Sequence, residues 1–137
     1  MVSITPKTSR ATTGRRESRQ KAERRGLRAE TLACWLLRLK GYRILTRRFK
    51  TRQGEIDIVA QRGARLAFVE VKARQTPRAA LEALTPRTQR RIENAARQWT
   101  SRAQPTADLT YCFDAILVCP WRWPCHVTNA FAPQAHW

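Results

Sequence analysis

Two stretches, GEIDIVA (residues 54–60) and LAFVEVK (residues 66–72), decide the fold of this chain. Both are rich in the β-branched and apolar residues that favour strands. The segment RGAR between them (residues 62–65) has a length typical of a hairpin turn. We therefore predict an antiparallel hairpin in which Asp57 faces Glu70 and Glu55 faces Lys72.

The two faces of this hairpin differ in chemistry, because strand side chains alternate between faces. One face is predicted to carry charge, and facing partners on it lie about 5 Å apart. The other face is predicted to be an apolar wall. The charged set is Glu55, Asp57, Glu70 and Lys72, and the apolar set is Ile56, Ile58, Ala60, Ala67, Val69 and Val71.

Carboxylates this close repel one another unless a proton or a cation lies between them. Mg²⁺ prefers oxygen ligands and is commonly held by one or two carboxylates, so Asp57 and Glu70 could bind it. The alternative is a solvated sheet face, on which Glu55 and Lys72 form a salt bridge while Asp57 and Glu70 are simply exposed.

The charge of the chain points to a polyanionic partner. Its 27 Lys and Arg against 10 Asp and Glu give a net charge of +17, which favours nucleic acid, with membrane surfaces and acidic proteins as alternatives. No apolar run approaches the roughly 20 residues that cross a bilayer, and the N-terminus has no secretory apolar core. We expect a cytoplasmic protein without a membrane segment.

A chain of 137 residues suggests one folded domain. Residues 1–25 carry eight Lys or Arg and two Glu among polar residues, which predicts a disordered basic arm. Residues 26–137 form the predicted domain. Four of its eight acidic residues are Glu30, Glu55, Asp57 and Glu70, the pattern that a metal site facing a phosphate backbone would need.

The cysteines have no paired C-x-x-C spacing, so buried free thiols are favoured over zinc ligands or disulfides. His126 and His136 complete no obvious metal set. The four cysteines are Cys34, Cys112, Cys119 and Cys125.

A helix is predicted over residues 27–40, ended by Gly41. Its apolar stripe places four large side chains at three- and four-residue spacing toward the core. Glu30 would lie in the first turn, where the helix dipole favours a carboxylate. The stripe is Leu32, Trp35, Leu36 and Leu39.

The remaining elements predict an α/β fold with a mixed sheet flanked by helices. Strands are expected at residues 42–49, 109–118 and 126–131, in addition to the hairpin. Thr85-Pro86 is typical of a helix start; the helix beyond it would bury Ile92, Ala95, Ala96 and Trp99. In the turn before the last strand, Trp121 and Trp123 could stack on bases, although covering the edge of the core is the commoner role.

Seven arginines are candidate phosphate contacts. For the arginines of the second helix, an equally good interpretation is that they simply form its solvent-exposed face. The seven candidates are Arg47, Arg48, Arg52, Arg74, Arg87, Arg90 and Arg91.

The region from Gly26 to Lys72 resembles the YraN-like family of uncharacterised bacterial proteins. The resemblance rests on Glu30 in a helix, on Gly54-Glu55-Ile56-Asp57, and on Phe68-Val69-Glu70-Val71-Lys72. It continues through Phe113-Asp114 to Asn129-Ala130-Phe131. That family is similar to the PD-(D/E)XK, or restriction-endonuclease-like, nucleases and to archaeal Holliday junction resolvases, which implies a restriction-endonuclease-like core.

The resemblance also implies roles for individual residues. Asp57 and Glu70, with the Val71 carbonyl, would ligate Mg²⁺ or Mn²⁺, and Glu30 would be an outer ligand. Lys72 would orient the attacking water, and Glu55 would be a supporting residue. Metal ions of this kind lower the pKa of water and stabilise the transition state of phosphodiester hydrolysis.

The sequence thus leads to a metal-dependent endonuclease acting on DNA, with branched recombination or repair intermediates as candidate substrates. The alternative is a nucleic-acid-binding protein of the same fold without cleavage activity. Cutting both strands of a junction would call for a homodimer, and no motif in the sequence fixes one.

Overall fold

The computed structural model describes residues 9–134, with side chains from residue 13 onward. The described part of the chain starts with a long helix, continues through three strands and two helices, and has two further strands after them. In order, the elements are α1 (Ser9–Leu39), β1 (Arg43–Lys50), β2 (Glu55–Arg62), β3 (Arg65–Ala73), α2 (Pro77–Glu82), α3 (Pro86–Ala103), β4 (Thr110–Val118) and β5 (Cys125–Val127).

The five strands form one mixed sheet in the order β1-β2-β3-β4-β5. Only β3 and β4 are parallel, and α2 and α3 connect them. Helix α1 packs on one face of the sheet and α3 on the other. The predicted α/β class, with a mixed sheet flanked by helices, is confirmed.

The predicted register of the hairpin is confirmed for its central part. The ladder pairs Ile58 with Val69, and Arg62 with Arg65 beside the turn. At its far end it stops short of the predicted Asp57–Glu70 and Glu55–Lys72 pairs, because β2 and β3 separate there. Asp57 Oδ2 instead accepts a hydrogen bond of 2.8 Å from the Val71 amide.

Both faces of the hairpin are buried, so the prediction of a single apolar wall is wrong. Ile58, Ala60, Ala67 and Val69 pack toward α1. Ile56, predicted on the same side, packs with Phe68 and the buried face of α3. The alternation breaks at Asp57, beside a position in β1 where Arg48 has φ of 53°, an uncommon backbone conformation for arginine.

Helix α1 differs from the prediction in its start and in its buried face. Residues 1–8 of the predicted arm lie outside the described residues. The helix begins at Ser9, within the segment predicted as a basic arm, and residues 9–25 contain many strong helix formers. Glu30 therefore lies in mid-helix, and the dipole explanation for it is wrong. The buried face consists of Ala29, Ala33 and Leu37 with Cys34.

The large apolar residues of α1 were assigned to the wrong face. Leu32, Trp35 and Leu39 are 48, 58 and 82% exposed, and only Leu36 of the predicted stripe is partly buried. Small alanines let the helix backbone lie close to the sheet, and close packing in this interface leaves no room for bulky side chains. Gly41 ends the helix as predicted, with φ of 89° and the Tyr42 amide bonded to the Leu37 carbonyl.

Helices α2 and α3 share one local signal. Thr76 and Thr85 each precede a proline and cap a helix, accepting hydrogen bonds from Ala79 and Thr88 amides. The prediction recognised Thr85-Pro86 and missed the shorter α2 after Thr76-Pro77. Helix α3 buries all four predicted residues and exposes Arg87, Arg90 and Arg91.

The last strand is shorter than predicted. Strand β5 ends at Val127 because the chain turns at Asn129, which has φ of 51°. Trp121 and Trp123 are exposed by 104 and 90%, so they do not cover the core.

Three of the four cysteines match the prediction of buried free thiols. Cys34, Cys112 and Cys119 are buried, whereas Cys125 is exposed at the start of β5. In the part of the chain from residue 9 to residue 134, no helix has the length and apolar character that crossing a membrane requires.

Candidate metal and nucleic-acid site

Asp57 and Glu70 come together where β2 and β3 separate. Asp57 is half-buried and held by the Val71 amide, and Glu70 is only 8% exposed. The two carboxyls are close enough for the charge of Asp57 to raise the pKa of Glu70. The sequence prediction that these two carboxyls are neighbours is therefore correct, although the contact arises from a break in the ladder rather than from a facing pair.

Few positive groups balance the negative charge that Asp57 and Glu70 would carry if both were ionised. Burial raises the pKa of Glu70, and the charge of Asp57 raises it further, to about 8 against the partial opposition of Lys72. Burial also raises the pKa of Asp57, although the Val71 amide opposes the shift. A proton between the two groups therefore relieves their repulsion at neutral pH in the absence of another cation.

Lys72 is the cation nearest to Glu70. Its Nζ lies 3.0 Å from Glu70 Oε1, and its side chain is 17% exposed. Glu55, the predicted partner of Lys72, is instead exposed at the start of β2.

A cavity of about 510 Å³ lies beside the pair, between α1 and the open ends of β1 and β2. We call it the carboxylate cavity. The charged residues that line it are the acids Glu23, Glu30, Glu55 and Asp57 and the cations Arg48 and Lys50, and Val71 from β3 lines it as well. The structure thus brings Glu30 to the same cavity as Asp57, and the charge of Glu30 contributes to the raised pKa of Asp57.

Glu30 is neutralised by two of the predicted phosphate contacts. Arg47 Nη2 lies 3.3 Å from Glu30 Oε1, and Arg48 Nε lies 3.1 Å from Glu30 Oε2. The arginine side chains remain 40 and 46% exposed, so they can face an anion as well. Within residues 9–134 no group of three or more His, Cys, Asp or Glu side chains could hold a metal ion.

The other predicted phosphate contacts are dispersed. Arg52 is exposed between β1 and β2, and Arg74 is exposed after β3. The three arginines of α3 are exposed on the helix that covers the opposite face of the sheet from α1. They do not line the carboxylate cavity.

Gly54, in the quoted motif, has a packing role that the sequence did not reveal. A Cβ at this position would lie 1.7 Å from the Arg91 carbonyl oxygen. Only glycine lets the segment before β2 approach the α3 backbone so closely. This contact positions the start of β2, two residues before Asp57.

The sequence prediction did not recognise the role of another buried acid, Asp114. Asp114, fully buried in β4, accepts two hydrogen bonds of 2.6 and 2.7 Å from Arg65, one from His126 at 2.7 Å and one from the Asn129 amide at 2.9 Å. Burial would raise its pKa, but these partners together hold the pKa well below its usual range. A lone acid in the apolar run TYCFDAILV was the available signal.

Residues 29–118 match the model of the uncharacterised protein family UPF0102. The chain belongs to this family. A UPF0102 protein of Mesorhizobium japonicum is 56% identical over 114 residues, covering 83% of this chain and 91% of the relative. A UPF0102 protein of Parvibaculum lavamentivorans is 57% identical over 112 residues, covering 82 and 84%. A third, from Chelativorans sp., is 54% identical over 119 residues, covering 87 and 96%.

Membership in UPF0102 confirms the resemblance to YraN-like proteins. The likeness to PD-(D/E)XK nucleases and to archaeal resolvases stays a prediction, as do the site roles that follow from it. The names of these UPF0102 relatives state no activity, substrate or cofactor.

Proposed function

We propose that this UPF0102 protein is a metal-dependent endonuclease with a restriction-endonuclease-like core, which hydrolyses phosphodiester bonds of DNA, including branched recombination or repair intermediates. The observation that carries the proposal is the Asp57–Glu70 pair. Half-buried Asp57, fixed by the Val71 amide, lies beside buried Glu70, whose Oε1 is 3.0 Å from Lys72 Nζ, in a chain of net charge +17.

The chemistry of the pair fits a divalent cation. Asp57 and Glu70 offer hard oxygen ligands, and burial raises the pKa of both carboxyls, so a bound cation would favour their charged forms. These residues, with the Val71 carbonyl, would hold Mg²⁺ or Mn²⁺. When bound, such an ion lowers the pKa of water and offsets charge on the reacting phosphate.

The protein's own side chains supply orientation and charge. The Val71 amide fixes the Asp57 carboxylate, so its free oxygen has a defined direction. Lys72, held at Glu70, can donate a hydrogen bond to a phosphate oxygen and offset negative charge that develops in the transition state. Arg47 and Arg48 would hold the flanking backbone while Glu30 fixes their positions.

A cleavage assay tests this proposal. Labelled duplex, single-stranded, flap and four-way-junction DNA would be incubated with the protein and Mg²⁺ or Mn²⁺. We expect metal-dependent cleavage of at least one substrate, lost in Asp57→Ala and Lys72→Ala. Glu82→Ala is a matched control, because Glu82 is an exposed acid paired with Arg78 on α2. Equal cleavage by wild type and Asp57→Ala would contradict the proposal.

A second candidate is nucleic-acid binding without cleavage. It is favoured by the engagement of Glu30 with two arginines, which makes Glu30 less available as an outer metal ligand. This candidate predicts binding that weakens with salt, because each phosphate contact releases counterions. It also predicts that no substrate of the panel is cut with either metal.

A further inference from the structure

A second groove, of about 660 Å³, lies on the other side of α1 from the carboxylate cavity. Its walls are the α1 segment between residues 22 and 32, the end of β3 with the residues that follow it (71–75), and the end of β4 with the residues that follow it (118–120). We call it the strand-end groove, since β3 and β4 are parallel and both end in it. Crevices at the carboxyl ends of parallel strands are common ligand sites.

The charge of the strand-end groove has one sign. Arg25, Arg28, Lys72 and Arg74 line it, and within residues 9–134 no Asp or Glu does. The carboxylate cavity, in contrast, is lined by four acids and two cations. The strand-end groove therefore suits a polyanion.

The floor of the strand-end groove is apolar. It includes Ala29, Leu32, Val118 and Pro120, and Leu32 is 48% exposed. Trp121 directly follows Pro120 and is fully exposed. Apolar and aromatic surface beside cations is typical of proteins that bind single strands, whose bases are free to stack. A duplex keeps its bases stacked inside and presents mainly phosphates to such a surface.

The strand-end groove and the carboxylate cavity meet. Both are lined by Gly26 and Val71, and a Cβ on Gly26 would have no atom within 4 Å. Val71 is also the residue whose amide holds Asp57, and Lys72 lines the strand-end groove while it contacts Glu70. A strand in this groove would therefore lead to the carboxyl pair.

We propose that the strand-end groove binds an unpaired strand of nucleic acid and directs it to the Asp57–Glu70 pair. The cleaved substrate class is then nucleic acid with a single-stranded segment next to the scissile phosphate. The cleavage part rests on the proposed function above, whereas the binding part does not.

Binding is measured without metal, in EDTA, so that cleavage cannot contribute. Fluorescence anisotropy would follow labelled single-stranded DNA, single-stranded RNA and blunt duplex DNA of equal length. The test variant Arg28→Ala/Arg74→Ala removes two exposed cations of the groove. The control Arg15→Ala/Arg43→Ala removes the same charge from exposed positions outside both cavities. Thermal unfolding checks that all variants fold.

We expect Arg28→Ala/Arg74→Ala to weaken binding of a single strand about tenfold or more, since both phosphate contacts are lost. Duplex binding should change less than about threefold, as should all binding by the control. Trp121→Ala should also weaken single-strand binding about tenfold and leave duplex binding unchanged. Preference for DNA or RNA identifies which single strand is bound.

Three outcomes would overturn the inference: equal losses for single strand and duplex, no loss in the test variant, or displacement of the single strand by an acidic peptide at equal concentration. Failure of the proposed nuclease function looks different. In that case the wild type cuts nothing with metal, while the single-strand preference and its loss in Arg28→Ala/Arg74→Ala remain.

Discussion

Two buried acids of the sheet, Asp114 and Glu70, have opposite electrostatic environments. Asp114 has a bidentate arginine, a histidine and a backbone amide, and its pKa is lowered. Glu70 has one lysine and a competing carboxyl, and its pKa is raised to about 8. The complete set of partners around Asp114 is typical of a structural brace. The incomplete set around Glu70 is typical of a site that receives a cation.

The largest expected effect is the loss of stability on replacing Asp114, the structural acid. Asp114→Ala should lower the free energy of unfolding by about 3–5 kcal/mol, because it leaves the Arg65 guanidinium partly buried without its carboxylate. Urea unfolding measures it. Replacing Glu82, which belongs to an exposed pair, is the control and should cost less than about 1 kcal/mol. A loss that small for Asp114→Ala would contradict the distinction between the two acids.

Glu70→Gln, unlike Asp114→Ala, should increase the free energy of unfolding of the metal-free protein. The pKa of Glu70 is higher in the folded state than in the unfolded state, so the folded protein binds more protons between about pH 4.5 and pH 8. Stability contributed by this proton is present below pH 4.5 and is lost as pH rises to about 8. At pH 8, Glu70→Gln should be more stable than wild type by about 1–3 kcal/mol.

Unfolding curves at pH 5 and pH 8 measure this difference. The gain from Glu70→Gln should be small at pH 5 and full at pH 8. A variant that is less stable than wild type at pH 8 would show that the buried carboxylate is compensated after all.

The next effect concerns Lys72. Since its ammonium lowers the pKa of Glu70, Lys72→Met should raise that pKa further, by about one unit. Carboxyl chemical shifts of labelled glutamate, followed by NMR across pH 5–10, report it. Lys50→Met is the control: Lys50 lines the carboxylate cavity but is not among the groups that shift the pKa of Glu70, so that pKa should stay unchanged.

The smallest effect on stability is expected for replacement of Glu30. Its ion pairs with Arg47 and Arg48 involve half-exposed arginines, which solvent screens, so Glu30→Gln should cost about 1 kcal/mol or less in stability. Urea unfolding checks this value. A loss as large as that of Asp114→Ala would place Glu30 among the structural acids rather than beside the site.

Much of the fold could be predicted because its signals are local. The hairpin register follows from the turn between residues 62 and 65, and the start of α3 follows from Thr85-Pro86. The buried face of α1 could not be predicted from large apolar residues, because the close approach of helix and sheet selects Ala29 and Ala33. The distance between the helix and the sheet depends on the tertiary structure, so the spacing of apolar residues alone does not predict it.

The site was predictable in its residues but less so in its geometry. The pairing of Asp57 with Glu70 follows from the hairpin, yet the separation of β2 and β3, which lets Val71 bind Asp57, has no signal in the alternating pattern. The partners of Asp114 lie 49 and 12 residues away in sequence, so they become visible only once the sheet is assembled.

Direct binding of Mn²⁺ tests the central claim that Asp57 and Glu70 share a divalent cation. Electron paramagnetic resonance of free Mn²⁺, titrated with the protein at pH 7.5, counts bound ions without requiring cleavage. We predict that the wild type removes free Mn²⁺ from solution, that Mg²⁺ competes, and that Asp57→Asn/Glu70→Gln binds none at the same concentrations. Undiminished Mn²⁺ binding by the double variant would contradict the account.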